Sequence, residues 1–284
     1  MPLISIKETL RHARFEGWAV PLFDVFEMAG VEGIFAAIGE KKAPAIVAIY
    51  DALINLPHIP AYVAFIRAMA EQLSMPVSLM LDHGSSEEHC LRALSLGFSD
   101  IMYDGSRLPL EQNIVITKRI VNAAHKSGAG VEAELGHVGE GSDYERFGKE
   151  RIGFTDPKTV LYFLEETGVD YLAIAIGSAH GIYKGDPHID IELLKEIGSK
   201  TDIPLVLHGG TGLSQEQYRS AVKNGICKIN IATDLILSAT ERMVTMARSD
   251  DASYLSIVSA AREAHKERAL YYFDLFGASG KGHV

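Results

Sequence analysis

Residues 76–84 read PVSLMLDHG, in which an apolar run at 76–81 is followed by Asp82, His83 and Gly84. The run is rich in aliphatic residues and lacks strict alternation between polar and apolar positions. This pattern is typical of a strand in a parallel sheet that helices cover. The polar pair at its end predicts that functional side chains follow the carboxyl end of a buried strand.

Seven further runs extend this pattern along the chain, at 18–23, 44–50, 100–103, 130–135, 170–176, 203–208 and 227–231. Amphipathic stretches of helical periodicity separate them, and several end at glycine, a frequent helix terminator. Eight strand–helix repeats predict an α/β fold of the (β/α)8 (TIM) barrel type, with a doubly wound sheet as the alternative. The stretch 252–277 predicts an additional C-terminal helix. No linker interrupts the repeats, so residues 1–284 are expected to form a single domain.

The 284 residues carry a formal net charge of −10, and the sequence pI is about 5.6. This balance disfavours nucleic acid or an anionic membrane as a partner, although a metal and backbone amides can still hold an anionic substrate. No apolar run approaches the roughly 20 residues that span a bilayer, and the first residues lack the apolar segment of a signal peptide. Cys90 and Cys227 follow no metal-binding spacing, which predicts reduced, buried thiols and a cytoplasmic location.

Polar residues gather at the ends of the predicted strands. They are Asp82, His83, Asp104, Glu132, Glu134, His180, His208 and Asn230. In a barrel these ends form one face, and that face carries the active site. The three histidines, each beside a glycine, suit a catalytic zinc, which takes three protein ligands and leaves one position open. The competing interpretation is three unrelated polar residues in surface loops.

Two neighbouring helix starts predict a phosphate site. HGGTG at 208–212 precedes Ser214, a candidate N-cap, and NIATD at 230–234 begins the eighth helix. Consecutive amides of a glycine-rich turn and of a helix start can bind an anion. Barrels often bind phosphate after strands seven and eight, where these segments lie.

At this point the chain resembles a known family over nearly its entire length. The blocks that carry the resemblance are LDHGSSEEHC (81–90), VEAELGHVG (131–139), LAIAIGSAHGIYKGDP (172–187), PLVLHGGTGL (204–213) and KINIATDL (228–235). They are similar to the signature blocks of class II ketose-bisphosphate aldolases, which include fructose- and tagatose-bisphosphate aldolases. The resemblance implies reversible aldol cleavage of a ketose phosphate or bisphosphate to dihydroxyacetone phosphate and an aldehyde.

The resemblance also implies roles for individual residues. It assigns the catalytic Zn²⁺ to His83, His180 and His208, and it makes Asp82 the general acid/base. The residues implied to contact dihydroxyacetone phosphate are Gly181, Gly209, Gly210, Thr211, Asn230, Ala232 and Thr233. A monovalent cation, Na⁺ or K⁺, often accompanies the phosphate in this family, and members are usually homodimers or homotetramers.

Further carboxylates acquire roles from the same resemblance. Asp104 and Glu134 match positions that hold a second divalent metal in some members. Members also place a proton-shuttling glutamate in the loop after the fifth strand. Glu140 is the residue assigned to this catalytic role, with Glu145 as the alternative.

The sequence departs from the family pattern at the predicted acceptor end. Asp24 stands where an asparagine is common, which makes it a substrate-binding candidate with altered polarity. Tyr50 or Asp51 replaces small residues and either faces the acceptor or has a structural role. The C-terminal segment lacks the Asp-Pro-Arg stretch of many bisphosphate members, and Arg262 reads as an ordinary helix residue. The acceptor end is therefore expected to carry no phosphate, or one that is held differently.

Two other functions compete with the aldolase hypothesis. One is a non-catalytic, sugar-phosphate-binding subunit of an aldolase complex, which the retention of Asp82 with all three histidines disfavours. The other is a metal-dependent hydrolase or isomerase, which the lack of a clear second set of histidine ligands disfavours. No Schiff-base lysine is required, and Lys228 is the one lysine inside a predicted strand core.

Overall fold

The structure, a computed structural model, describes residues 3–144 and 150–283. Its strands are β1 (Val20–Asp24), β2 (Ala45–Tyr50), β3 (Val77–Gly84), β4 (Asp100–Tyr103), β5 (Gly130–Leu135), β6 (Gly139–Glu140), β7 (Tyr171–Ile174), β8 (Ala179–His180), β9 (Leu205–Leu207) and β10 (Ile226–Ile231). Eight of them close into a barrel in the order β1-β10-β9-β7-β5-β4-β3-β2, and β6 pairs with β8 in a separate small sheet. All of these pairings are parallel. The predicted (β/α)8 barrel is confirmed, and closure rules out the doubly wound alternative.

Helices cover the outside of the barrel. They are α1 (Lys7–Glu16), α2 (Met28–Lys41), α3 (Ile59–Glu71), α4 (Glu87–Leu96), α5 (Leu110–Lys126), α6 (Pro157–Thr167), α7 (Ile191–Gly198), α8 (Gln215–Lys223), α9 (Thr233–Ala247) and α10 (Tyr254–Leu275). The additional C-terminal helix is confirmed as α10, which packs on α2 and α9. Ser214 caps α8 in a reciprocal capping box with Gln217, as expected of a helix start with these residue types. None of the helices in the described ranges is long and apolar enough to cross a membrane.

The strands are buried on both faces, as the unbroken apolar runs predicted. All residues of β1 and β5 are buried, including the polar Asp24, Glu132 and Glu134. Cys90 and Cys227 are also buried and unpaired. The barrel interior therefore contains apolar side chains together with several buried polar groups.

Asp100, the first residue of β4, organises the amino end of the barrel. Its carboxylate accepts hydrogen bonds from Ser5 Oγ at 2.8 Å, Ile6 N at 3.0 Å, Ser78 Oγ at 2.5 Å and Tyr171 OH at 2.9 Å. Burial raises the pKa of Asp100 to about 6, and these donors oppose the rise. The group is therefore ionised at neutral pH and accepts all four bonds, which connect the chain before α1 with β3, β4 and β7.

We expect Asp100→Ala to lower the free energy of unfolding by about 3 kcal/mol, because three buried donors and the partly buried Ser5 lose their acceptor. Urea-induced unfolding measures this change. Asp250→Ala, at an exposed position, is the control and is expected to leave the transition unchanged. Equal unfolding midpoints for Asp100→Ala and the parent protein would show that the network contributes nothing to stability.

Candidate active site

A cavity of about 810 Å³ opens where the carboxyl ends of the barrel strands meet. Most of the predicted site residues line it, namely Asp24, Asp82, His83, Asp104, Glu140, His180, Gly181, Gly209, Gly210, Thr211, Asn230, Ala232 and Thr233. Two predicted metal ligands, Glu134 and His208, are fully buried and contact the lining residues from below. The structure thus brings residues from distant parts of the sequence to one site.

The cavity also contains residues that the sequence analysis did not single out. Phe26, Ser85, Tyr103, Arg107, Leu108 and Val138 belong to its wall. Arg107 follows Asp104 by three residues, and it is the one lysine or arginine in the wall as far as the described residues show. Its place after a strand end was the available signal, because such positions form the mouth of a barrel. His137, which had no assigned role, also lines the cavity and interacts with Ser106 Oγ at 2.9 Å.

Asp82 and His83 both face the cavity although they are adjacent in the sequence. In a regular strand, successive side chains point to opposite faces. The β3–β4 register shifts between Leu81 and Gly84, and His83 has a φ of 52°, in the left-handed region. This irregularity turns both side chains to one side. A Cβ at Gly84 would overlap the Met102 carbonyl oxygen, so glycine is required where the strand bends.

The three predicted zinc ligands converge. His83, His180 and His208 each offer a nitrogen, and these three atoms lie within 4.8 Å of one another. His83 Nε2 and His208 Nδ1 are 2.9 Å apart. His180 Nε2 is buried and has no hydrogen-bond partner among residues 3–144 and 150–283. A buried, unpartnered imidazole nitrogen is expected at a metal site.

Carboxylates behind two of the histidines define which nitrogen faces the centre. His208 Nε2 lies 2.7 Å from Glu132 Oε1, and His83 Nδ1 lies 2.9 Å from Asp104 Oδ2. An imidazole that donates one N–H to a carboxylate presents its other nitrogen as a lone pair, the arrangement common to histidines that bind metals. The nitrogens of His83 and His208 that face each other are then both acceptors, and a cation between them satisfies both. The residues present therefore fit a zinc ion.

Electrostatics differ among the three histidines. Burial, followed by the charge of His83, lowers the pKa of both His180 and His208, so both are neutral and able to bind a metal. Burial also acts to lower the pKa of His83, but Asp82 and Asp104 outweigh it and raise that pKa to about 10. His83 thus carries a cation, either a proton or a metal, at the nitrogen that faces His208.

A second group of possible ligands lies beside the first. His83, Asp104 and Glu134 also offer atoms within 4.8 Å of one another. Burial, followed by the nearby Asp104 charge, raises the pKa of Glu134 to about 8. Glu134 Oε1 accepts a hydrogen bond from Val138 N at 2.9 Å. These residue types are suitable for a divalent metal. The second metal that the family resemblance implies stays a prediction, and Asp104 already contacts His83.

The wall formed after β9 and β10 contains the predicted phosphate segments. Gly209 has a φ of 65°, and a Cβ there would overlap the backbone of Ala179. Glycine is therefore required for this close approach. The helix α9 begins at Thr233, within the second segment, and α8 begins shortly after the first. Gly209, Gly210, Thr211 and Thr233 line the same cavity. Such a wall is chemically suited to an anion.

Glu140 and Arg262 differ in their position relative to the cavity. Glu140 lies opposite His180 in the β6–β8 pairing and lines the cavity. Glu145 lies outside the described residues. Arg262 is on α10, 3.8 Å from Glu32, and is not part of the cavity wall. Its interpretation as an ordinary helix residue agrees with this position.

A closed barrel with three convergent histidines and an adjacent aspartate defines a barrel enzyme with a metal site. The family model described as "Fructose-bisphosphate aldolase class-II" matches residues 4–281. The chain therefore belongs to the class II fructose-bisphosphate aldolase family, and it is an aldolase, a carbon–carbon lyase.

Individual relatives are similar over the full chain. It is 36% identical over 286 residues to a Bacillus subtilis protein named "Probable fructose-bisphosphate aldolase", covering 99% of this chain and 100% of the relative. A Staphylococcus aureus fructose-bisphosphate aldolase is also 36% identical, with 99% of each chain covered. Among solved structures, the YdjI aldolase from Escherichia coli K12 superposes with a TM-score of 0.88 at 32% identity, covering 99% of both chains.

Proposed function

We propose that the chain, as one domain, catalyses zinc-dependent, reversible cleavage of a ketose phosphate or bisphosphate to dihydroxyacetone phosphate and an aldehyde. The observation that carries this proposal is the placement of Asp82 beside the histidine cluster. Asp82 Oδ2 lies 3.9 Å from His83 Nε2, the nitrogen that faces the other metal ligands. A base and a metal at this separation can act on adjacent atoms of one substrate.

In this proposal His83, His180 and His208 hold the zinc ion. A zinc ion bound there supplies the Lewis acid that polarises the ketose carbonyl. Asp104 and Glu134 are proposed to contribute to a second divalent metal. A monovalent cation, Na⁺ or K⁺, is proposed near the phosphate. Of these assignments, zinc at the three histidines has the most direct support, because imidazole nitrogens are preferred zinc ligands.

Asp82 is proposed to remove the C4 hydroxyl proton during cleavage and to return it during condensation. Asn230 Nδ2 donates to Asp82 Oδ1 at 2.9 Å, which fixes the carboxylate and leaves Oδ2 for the substrate. Glu140 is proposed to carry the second proton transfer, to C3 of the ketose, the carbon that becomes the unphosphorylated hydroxymethyl group of dihydroxyacetone phosphate. The pairing of Glu140 opposite His180 supports this role, because both residues line the cavity.

Dihydroxyacetone phosphate is proposed to lie against the wall after β8, β9 and β10. Its contacts are assigned to Gly181, Gly209, Gly210, Thr211, Asn230, Ala232 and Thr233. The backbone amides of this wall supply hydrogen bonds to a phosphate without a lysine or arginine. Lys228 does not line the cavity, so a Schiff base between it and the ketone is not supported.

The acceptor end is proposed to bind an aldehyde without a phosphate. Asp24 and Tyr50 line this side of the cavity, and Asp24 Oδ1 is buried without a hydrogen-bond partner in the described part of the chain. Asp51 also lines the cavity, but Ser85 Oγ and His89 Nδ1 engage its oxygens, which supports a structural role for it. Burial, followed by the Asp82 charge, raises the pKa of Asp24 well above its usual range. A protonated carboxyl group can hydrogen-bond a sugar hydroxyl but offers no positive charge to a second phosphate.

We expect fructose 1-phosphate and fructose 1,6-bisphosphate to be cleaved with kcat/KM values within about a factor of ten of each other, which is 1.4 kcal/mol. Steady-state kinetics with both ketoses in the same buffer measures the ratio. A strong preference for the bisphosphate would refute the unphosphorylated acceptor and leave the aldolase reaction itself intact.

Release of dihydroxyacetone phosphate tests the proposed function as a whole. A panel of ketose phosphates is incubated with the protein, and the product is measured by its NADH-coupled reduction, with and without EDTA. Zinc-dependent release from at least one ketose is expected. Absence of release from the entire panel would favour a sugar-phosphate-binding subunit, although Asp82 with three histidines supports catalysis. A homodimer or homotetramer and a cytoplasmic location are proposed on the family resemblance and the reduced cysteines.

A further inference from the structure

Lys228 is an ammonium group with no access to solvent in the interior of the barrel. It lies in β10, and its exposed fraction is 0%. Burying a charge is costly unless the group is paired and hydrogen-bonded. Leucine or methionine would fill the same space without the free-energy cost of burying a charge. Packing alone therefore does not explain a lysine at this position.

The ammonium joins two chains of polar contacts, one that begins with an ion pair and one that begins with a hydrogen bond. Lys228 Nζ lies 2.8 Å from Glu132 Oε2, and Glu132 Oε1 lies 2.7 Å from His208 Nε2. Lys228 Nζ also donates to Asn230 Oδ1 at 2.6 Å, and Asn230 Nδ2 donates to Asp82 Oδ1 at 2.9 Å. One chain ends at a proposed zinc ligand and the other at the proposed general base.

Each chain fixes the orientation of the group at its end. The ion pair holds Glu132 so that its other oxygen accepts from His208 Nε2, which leaves Nδ1 directed at the metal centre. The bond from Lys228 occupies the oxygen of the Asn230 amide, so the amide must present its nitrogen to Asp82. An Asn230 amide turned the other way would place its oxygen against the carboxylate and repel it.

We propose that Lys228 is a positioning residue that sets the His208 tautomer through Glu132 and the orientation of Asp82 through Asn230. The inference rests on the proposed function, since it assumes zinc at the histidines and proton transfer at Asp82. Lys228 contacts neither the cavity nor the reacting atoms. Through these two chains, one ammonium group fixes the orientation of both the metal ligand His208 and the base Asp82.

Three variants separate the two chains. Lys228→Met removes the ammonium and leaves Glu132 unpaired. Lys228→Met combined with Glu132→Gln removes that buried charge while keeping an amide oxygen for His208 Nε2. Lys223→Met, at an exposed position at the end of α8, is the matched control. Zinc affinity is measured without substrate, by competition with a fluorescent chelator, and thermal unfolding of the metal-free proteins reports folding.

We expect Lys228→Met to weaken zinc binding by about 10–100-fold, the usual effect of losing a group that supports a metal ligand, and to lower kcat. The double variant is expected to recover most of the zinc affinity but to keep the low kcat at saturating zinc, because Asn230 remains unanchored. Lys223→Met should match the parent protein in all measurements.

The outcomes distinguish this inference from the proposed function. Parent protein that binds no zinc, or releases no dihydroxyacetone phosphate, would overturn the proposed function and the inference with it. If the parent protein is active and a folded Lys228→Met variant keeps both its zinc affinity and its kcat, the inference alone is wrong. A double variant that regains zinc affinity and kcat together would also overturn it, because the Asn230 chain would then be unnecessary.

Discussion

Asp82→Ala is expected to lower kcat by about 10²–10⁴-fold, the range that a positioned general acid or base contributes. The variant keeps the three histidines, so zinc affinity should change little. Substrate should still bind, since the contacts assigned to the phosphate lie on the wall after β9 and β10. The loss should therefore appear in kcat rather than in KM.

Asp51→Asn is the matched control for this prediction. Asp51 lines the same cavity, but its oxygens are engaged by Ser85 and His89. Ser85 Oγ donates to Oδ2 at 2.7 Å, and His89 Nδ1 lies 2.8 Å from Oδ1. A carboxylate held in this way is not available as the base, so kcat should fall by less than about tenfold. Equal losses in Asp82→Ala and Asp51→Asn would argue against a specific role for Asp82.

His180→Ala is expected to weaken zinc binding by more than the roughly 100-fold that the loss of a supporting partner costs. His180 Nε2 is the buried nitrogen without a partner in the described ranges, and its ring centroid lies 4.8 Å from that of His83. Removing a direct ligand leaves two histidines, fewer than a catalytic zinc normally takes. Aldolase activity should be lost at low zinc and recover only partly when zinc is added.

His137→Ala is the control for the second prediction, because His137 lies at the same cavity and contacts Ser106 Oγ but is not among the convergent ligand groups of the described residues. We expect its zinc affinity to stay within about threefold of the parent value, a change of less than 1 kcal/mol. Chelator competition measures both variants under the same conditions. Similar zinc affinities for His180→Ala and His137→Ala would refute the assignment of His180 as a ligand.

Much of the fold was accessible from the sequence because buried parallel strands leave continuous apolar runs. The predicted strands at 100–103 and 130–135 coincide with β4 and β5. The third run was predicted to end at residue 81, but β3 continues to Gly84. The predicted strand ended before the charged residue Asp82. In the structure the strand continues past Asp82 and His83, because the irregular backbone at His83 keeps these residues in the sheet. The helix α1, short and rich in charged residues, was not predicted.

The sequence predicted which residues gather at the candidate site better than it predicted how their side chains are oriented. Strand ends share one face in a barrel, so His180 and His208 could be placed together from topology. The sequence could not show that Asp82 and His83 face the same side, since regular alternation separates them. The sequence also did not show which loop residues line the cavity, so Arg107 was not predicted as part of its wall. Contacts between distant side chains, such as that of Lys228 with Glu132, depend on barrel closure.

Strand β4 begins at Asp100 and is followed directly by Asp104, so its two ends serve different purposes. The carboxylate at the start holds the amino end of the barrel, whereas the one after the end supports His83. Substitutions around the cavity can therefore change its lining without removing the contacts that hold the amino end. A mutant library confined to Asp24, Tyr50 and Arg107 should keep most of its members soluble. The contacts that stabilise the barrel and the side chains that line the cavity thus lie at opposite ends of the same strand.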